Sequence, residues 1–173
     1  MIHWVAYSEA IDDSHPMTTS KKHIRMLQEI VVGWRDATVL ELGSHAGLSV
    51  AAMALAAPEA RFISVDLCDT VPEAARVAHW ADIGLTNITA VAGDAGKYLA
   101  GCTADSYSMV FHDAIHGPDA FREYLRCAVV AKIVVIHDFE QLPQSMQWSL
   151  YDRFGRIRTD RDDLGRVLFV GVR

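Results

Sequence analysis

Cysteine is scarce in this chain: Cys68, Cys102 and Cys127 are all that 173 residues contain, with no CxxC pair. A disulfide framework or a cysteine zinc site needs paired or closely spaced thiols, so neither is expected, and a reducing, cytoplasmic setting is the simpler reading. Long apolar runs are missing too. No window reaches the roughly eighteen residues that a membrane span needs, and the opening MIHWVAYSEAIDD has neither a basic start nor a long apolar core. Positive charge is neither abundant nor clustered. With a net charge of −6 and no long run of one sign, the chain lacks the massed Lys and Arg on which phosphate recognition relies, which excludes nucleic acid or an anionic membrane as the main partner. There is also no repeat, low-complexity tract or linker.

What the chain has is apolar residue, 51% of the total, enough for one domain with a sizeable core. Apolar runs that read as strands recur at Thr38 to Leu42, Arg61 to Val65, Ile88 to Ala92, Ser108 to Phe111, Ile133 to Ile136 and Arg166 to Val172. Helical segments alternate with them. Ser20 to Val32 spaces Ile24, Leu27, Ile30 and Val31 along one face, and Leu48 to Ala57 is nearly all small and apolar until Pro58 ends it. Pro72 to Ile83, Pro118 to Val129 and Pro143 to Phe154 each open on proline, a residue at home at a helix start. This alternation predicts a doubly wound α/β sheet, mostly parallel, with helices on both faces. Phe154 to Thr159 and Arg166 to Val172, joined by Asp160 to Gly165, read as a terminal hairpin that brings in an antiparallel strand. Residues 1–19 form an arm ahead of a domain spanning 20–173.

The chemistry concentrates at TVLELGSHAG, residues 38–47, and at Asp66, which closes RFISVD nineteen residues after Gly47. Strand, glycine-bracketed turn, small-residue helix, second strand and terminal acid make the layout of a nucleoside-binding βαβ unit. Charge selects the ligand. Glu41 stands two residues before Gly43 and no Lys or Arg lies between Thr38 and Arg61, so a pyrophosphate would meet an uncompensated carboxylate. A ligand with an ammonium group and a ribose suits the turn, and S-adenosylmethionine has both. In this reading Gly43 and Gly47 let the backbone come close, Ser44 and the amides of the helix start bind the ligand's carboxylate, Glu41 holds its ammonium directly or through water, and Asp66 accepts the ribose hydroxyls.

Together with FHDAIHGPDAF and VVIHDF, these motifs resemble the class I S-adenosylmethionine-dependent methyltransferases over about residues 20 to 172. Within them the chain is similar to small O-methyltransferases that act on macrolide sugars and, more distantly, on catechols. The resemblance implies a seven-stranded Rossmann-like sheet with an antiparallel C-terminal hairpin strand. It adds Leu67 beside Asp66, and Asp94 with Ala95 at the adenine amino group, to the cofactor-binding set. It also implies a basic group, here His116, three residues beyond the acid that ends the fourth strand, here Asp113, and an acidic pair after the fifth, where this chain has His137 and Asp138. Asp113 counts among both the catalytic and the cofactor-binding residues. Asp113, His137 and Asp138 would hold a divalent ion, Mg or, because an imidazole is included, Mn, Fe or Zn.

An imidazole titrates near neutral pH, so His116 is suited to deprotonate a hydroxyl before the in-line displacement that moves a methyl from a sulfonium. His112, inside the strand end, is expected to point away, and Asp138 has a plainer role as cap of the following turn. Trp4, Tyr7, His15 and Met17 would line a lid over the acceptor, whereas Asp12, Asp13 and His15 also read as solvated arm residues. The Arg153, Arg156, Arg158 and Arg161 series reads as an exposed face, or else as a binder of an acidic acceptor. The expected reaction is methylation of a small hydroxylated molecule, with a homo-oligomer expected from similar enzymes. Alternatives are an N-methyltransferase, a macromolecule methyltransferase, or a non-catalytic S-adenosylmethionine-binding protein. The absence of an Asn-Pro-Pro-Tyr type motif weighs against amino-group chemistry on nucleic-acid bases. Glu41 and the absence of GxGxxG spacing weigh against a dehydrogenase.

Overall fold

A computed structural model describes Tyr7, Ile11 and residues 19–173; Trp4, Asp12, Asp13, His15 and Met17 lie outside the described residues. Seven strands form one sheet: β1 (Arg35–Leu42), β2 (Glu59–Asp66), β3 (Ile88–Ala92), β4 (Tyr107–His112), β5 (Ala131–Ile136), β6 (Arg156–Arg161) and β7 (Val167–Val172). Their order is β3-β2-β1-β4-β5-β7-β6. The first five run parallel, and β7 enters antiparallel between β5 and β6. The expected seven-stranded, doubly wound fold with a C-terminal hairpin is the one formed.

Strand residues alternate between two cores because successive side chains leave opposite faces of a sheet. Val39, Met109, Phe111 and Val135 join a cluster with Ile24, Leu27 and Val31 of α1 (Lys21–Val31) and the small residues Ala51, Ala52 and Ala54 of α2 (Leu48–Ala56). Their neighbours Leu40, Val110, Val134 and Ile136 face the other way. There they pack with Leu99 of α4 (Ala95–Ala100), Tyr124 of α5 (Phe121–Val130) and Leu150 of α6 (Gln144–Tyr151). The small, alanine-rich face of α2 is buried in this cluster. α3 (Glu73–Asp82) adds Trp80 to the first cluster.

Boundaries differ from the sequence reading where proline and Asx chemistry intervene. Pro72 and Pro143 are N-caps of α3 and α6 rather than their first helical residues, and Pro118 sits in a separate 3-10 turn, Gly117–Ala120, before α5 begins. α4 was not expected. It starts because the Asp94 carboxylate accepts the Lys97 amide at 2.8 Å and so caps six residues. In the hairpin, Asp162 Oδ1 accepts the amides of Leu164 at 3.0 Å and Arg166 at 2.9 Å, closing the turn later than expected and moving β6 two residues onward.

Candidate active site

Sheet register brings the site together. Leu42 pairs with His112, and His112 with Ile136, so the next residues Gly43, Asp113 and His137 fall in a row at the carboxyl ends of three adjacent strands. The ladder runs on into the loops. Gly43 N donates to Val65 O at 2.8 Å, Asp113 N to Leu42 O at 2.8 Å, His137 N to His112 O at 3.1 Å, and Gly93 N to Asp66 O at 2.8 Å. Backbone bonds of sheet quality thus fix residues that are formally in loops. Above this row lies a cleft of about 460 Å³, where parallel sheets of this kind place their ligands.

One half of the cleft is the glycine turn. Gly43 has a φ of +79°, and a side chain there would meet the Ala114 Cα at 2.4 Å, so this glycine seats the turn against the loop after β4. Gly47, also at positive φ, is not part of the cleft wall; a Cβ there would meet the Trp80 ring at 2.7 Å. It serves packing, where the sequence reading had expected close approach to the cofactor. Ser44, Asp66, Leu67, Asp94 and Ala95 all line the cleft. The Asp66 carboxylate is held by three backbone amides: Oδ2 accepts from Ser44 at 2.9 Å and His45 at 2.8 Å, and Oδ1 from Cys68 at 2.7 Å. The amides expected to cradle the ligand's carboxylate are therefore committed to Asp66.

Glu41 also lies differently from the expectation. Fully buried, it sits behind the wall, accepting from Ser49 Oγ at 2.5 Å and Ser64 Oγ at 2.9 Å. Burial pushes its carboxyl up to about 7, more than the two serine hydrogen bonds pull it down. Ser49 lines the cleft in its place.

The other half of the cleft gathers Asp113, His116, His137 and Asp138. His137 Nδ1 is 3.0 Å from Asp113 Oδ1 and 3.3 Å from Asp138 Oδ1; His116 Nε2 is 3.7 Å and 3.9 Å from the same two carboxylates. Thr19 Oγ1 donates to Asp113 Oδ2 at 3.0 Å. Burial would raise the Asp113 carboxyl, but the charge of His137, its hydrogen bond and His116 outweigh it and hold Asp113 below the usual range. His137 is the reciprocal case. Burial alone would lower it, and Asp113 and Asp138 hold it above its ordinary value. Asp138 is raised, burial outweighing the two imidazoles. As arranged, these groups do not fit a divalent ion: both carboxylates address the same imidazole nitrogen and favour a proton on it, removing the lone pair a metal would need. Among the described residues no group of three or more His, Cys, Asp or Glu is spaced to hold a metal.

His112 points away, fully buried, with Nε2 2.8 Å from Glu123 Oε2 and its ring edge-on to Tyr124. Asp138 precedes the short 3-10 turn Phe139–Gln141 and accepts from Gln141 Nε2 at 3.1 Å while still lining the cleft. The arginines at 153, 156, 158 and 161 are exposed and off the cleft. Besides Thr19 and Ser49, three contributors were missed. Glu123 reaches the cleft from α5 because Gly96 leaves room, its Oε1 lying 2.8 Å from where a Cβ would stand. Arg166 enters from the hairpin, its Nε on Asp162 Oδ2 at 2.8 Å. Arg76, 1% exposed, lies beneath the glycine turn and donates to Ser44 Oγ. Helical periodicity marks where such side chains sit on their own helix, not what they reach. Of the arm, Tyr7 packs in the core with its hydroxyl 3.1 Å from His79 Nε2.

A family profile described as "Methyltransferase domain" matches residues 40–139, which span β1 to the turn after β5 and carry both halves of the cleft. No curated protein matches in sequence. Solved structures match in fold. Precorrin-6y C5,15-methyltransferase from Geobacter metallireducens superposes with a TM-score of 0.68 at 8% identity, over 95% of this chain and 94% of that one. A SAM-dependent O-methyltransferase from Thermotoga maritima gives 0.69 at 11% identity, over 98% and 71%. The cofactor-bound protein Rv0187 from MTB gives 0.68 at 18% identity, over 98% and 88%. No described helix is long and apolar enough to cross a membrane.

Proposed function

This chain belongs to the methyltransferase-domain family and is an S-adenosylmethionine-dependent methyltransferase, and from that premise we propose that it transfers the methyl group to a hydroxyl of a small molecule, as the macrolide-sugar and catechol-type enzymes it resembles do. The observation that carries this reading is that one cleft holds the glycine turn with Asp66 at one end and His116 with Asp113 at the other. A sulfonium methyl needs only an aligned, desolvated and deprotonated acceptor. When bound, S-adenosylmethionine would supply the sulfonium methyl and keep the electron pair of the broken S–C bond, and His116 would take the proton of the acceptor hydroxyl.

His116 is the base best supported. It is 27% exposed, so the proton it takes has a way out to solvent, whereas His137 is buried between two carboxylates. Asp113, ionised and fixed by Thr19 and His137, faces the imidazolium that forms on His116 and favours proton transfer to it. Asp138, 3.9 Å away, adds to the same field. No step is routed through a metal, since Asp113, His137 and Asp138 are already engaged with one another.

The test is methyl transfer from labelled S-adenosylmethionine to a panel of small polyols, phenols and primary amines. Turnover of hydroxylated acceptors that falls with His116→Ala supports the reading. Turnover of amines alone, or activity untouched by that substitution, overturns it.

A further inference from the structure

The acceptor end of the cleft holds a cation that the transfer step does not use. Arg166, directly ahead of β7, is the single arginine or lysine among the described residues that line the cleft. It stands on the His137 side, near enough for its charge to oppose a proton on His137 and on His23. Its side chain is 13% exposed, and its Nε donates to Asp162 Oδ2 at 2.8 Å.

Asp162 is a fixed anchor for it. Burial would raise this carboxyl, but hydrogen bonds from the Arg166 side chain and backbone outweigh that and hold it below the usual range, so both members of the pair are charged. The turn that carries them is pinned from two flanks: Lys22 of α1 donates to Arg161 O at 2.6 Å, and Glu140, from the turn after β5, accepts the Val167 amide at 2.6 Å. Arg166 is thus presented to the cleft from a rigid support. Closing the hairpin does not need a guanidinium. Asp162 Oδ1 takes the backbone amides of Leu164 and Arg166, bonds that form whatever side chain residue 166 carries. A guanidinium drawn into a nearly buried pair is costly to desolvate, and an aliphatic residue would close the same turn without that cost.

The surroundings of Arg166 select what it would meet. Asp113 and Asp138 lie against the imidazoles of His137 and His116, so the acceptor end already compensates its own carboxylates. An ammonium-bearing acceptor would face Arg166 together with His137, which is held toward its charged form. A carboxylate matches the planar guanidinium, which can give it two parallel N–H···O bonds. A phosphate shares that chemistry, but a dianion entering a cleft walled also by Asp66, Asp94 and Glu123 is opposed more strongly than a monoanion.

Resting on the reading of this cleft as a site for methyl transfer to a hydroxyl, we infer that the acceptor is a hydroxy acid, its carboxylate held by Arg166 while its hydroxyl meets His116. Arg166 is then a specificity-determining residue. The role of binding an acidic acceptor, which the sequence offered to the arginines at 153, 156, 158 and 161, falls to a different arginine that the hairpin turns into the cleft.

The test compares acceptors that differ in one substituent: protocatechuate, its carboxamide, which keeps the shape and an electron-poor ring without the charge, the matching phosphonate, and the matching benzylamine. KM and kcat are read with labelled S-adenosylmethionine, and Kd by isothermal titration in the presence of S-adenosylhomocysteine. The carboxylate is expected to show KM and Kd on the order of 10- to 100-fold below those of the carboxamide, the worth of a hydrogen bond between charged groups, with the smaller part of the difference in kcat. Arg166→Met should bring that ratio to about one, and Arg166→Lys, a point charge without the fork, should keep part of it. Should Arg166→Met fold poorly, Arg166→Lys and the wild-type ratio carry the comparison. A carboxamide used as well as the carboxylate, a phosphonate preferred to it, or a preference untouched by Arg166→Met overturns the inference while leaving methyl transfer to hydroxyls standing. Methylation confined to the nitrogen of the benzylamine overturns that reading, and the inference with it.

Discussion

Replacing Glu41 with glutamine should make the fold less sensitive to pH. In the unfolded chain this carboxyl titrates at 4.5; in the fold, burial lifts it to about 7. Below 4.5 both states carry the proton and the carboxyl adds no pH-dependent cost. Between 4.5 and 7 the unfolded state ionises while the folded state still binds its proton, so stability falls as pH rises. Above 7 the loss levels off at about 3 kcal/mol, the free-energy equivalent of that pKa difference. The substituted amide would keep the shape and can still accept from Ser49 or Ser64, without a charge to desolvate. The variant's absolute stability depends on how that amide re-pairs, so the slope is the informative quantity. Urea unfolding of Glu41→Gln and wild type, at intervals from pH 4.5 to 8, should show the difference between them moving by about 3 kcal/mol in the variant's favour. The other titrating groups are common to both proteins and cancel. Two stability curves that stay parallel to within about 0.5 kcal/mol would refute the argument, because they would mean that Glu41 titrates alike in the folded and unfolded chain.

At the acceptor end, His116→Ala should leave S-adenosylhomocysteine affinity within about twofold of wild type and lower kcat on the order of 10²- to 10⁴-fold, as single-turnover kinetics will report. Asp66→Ala should do the opposite, weakening binding, since its carboxylate lines the cleft and also pins the turn through Ser44 and His45. Gly43→Ala forces a Cβ to 2.4 Å from the Ala114 backbone at a φ of +79°, and should cost on the order of 1–3 kcal/mol in denaturant melts and abolish cofactor binding. Prolonged EDTA treatment is expected to leave turnover intact; loss restored by Mg or Mn would show that an ion re-sorts Asp113, His137 and Asp138.

Much of the fold was legible before any tertiary contact was known. Unbroken apolar runs such as Val39-Leu40 and Val134-Val135-Ile136 mark strands buried on both faces, and the turn from Leu42 to Leu48 announces a strand-to-helix junction, because these patterns depend on a few neighbouring residues. Strand ends then place Asp66, Asp113 and His137 at one edge, since parallel strands all finish on the same side. Boundaries were less legible where a single side chain decided them, as Asp94 did for α4 and Asp162 for the hairpin.

By itself, then, the sequence determined the order of the strands and of every described helix but α4, the glycine turn with its following acid, and most of the acids and histidines delivered to the carboxyl edge of the sheet. These are local properties, governed by backbone sterics and side-chain period. Only the tertiary structure decided which of those residues meet. Glu41 and Ser49 flank the same turn and are both buried, yet packing seals Glu41 off completely and leaves Ser49 on the cleft wall. Arg76 finds Ser44 across 32 residues, and the carboxylates of Asp113 and Asp138 converge on His137. Contacts of that range depend on how α3 docks beneath the turn and on the register of β4 with β5, and those are set by the packing of the whole core.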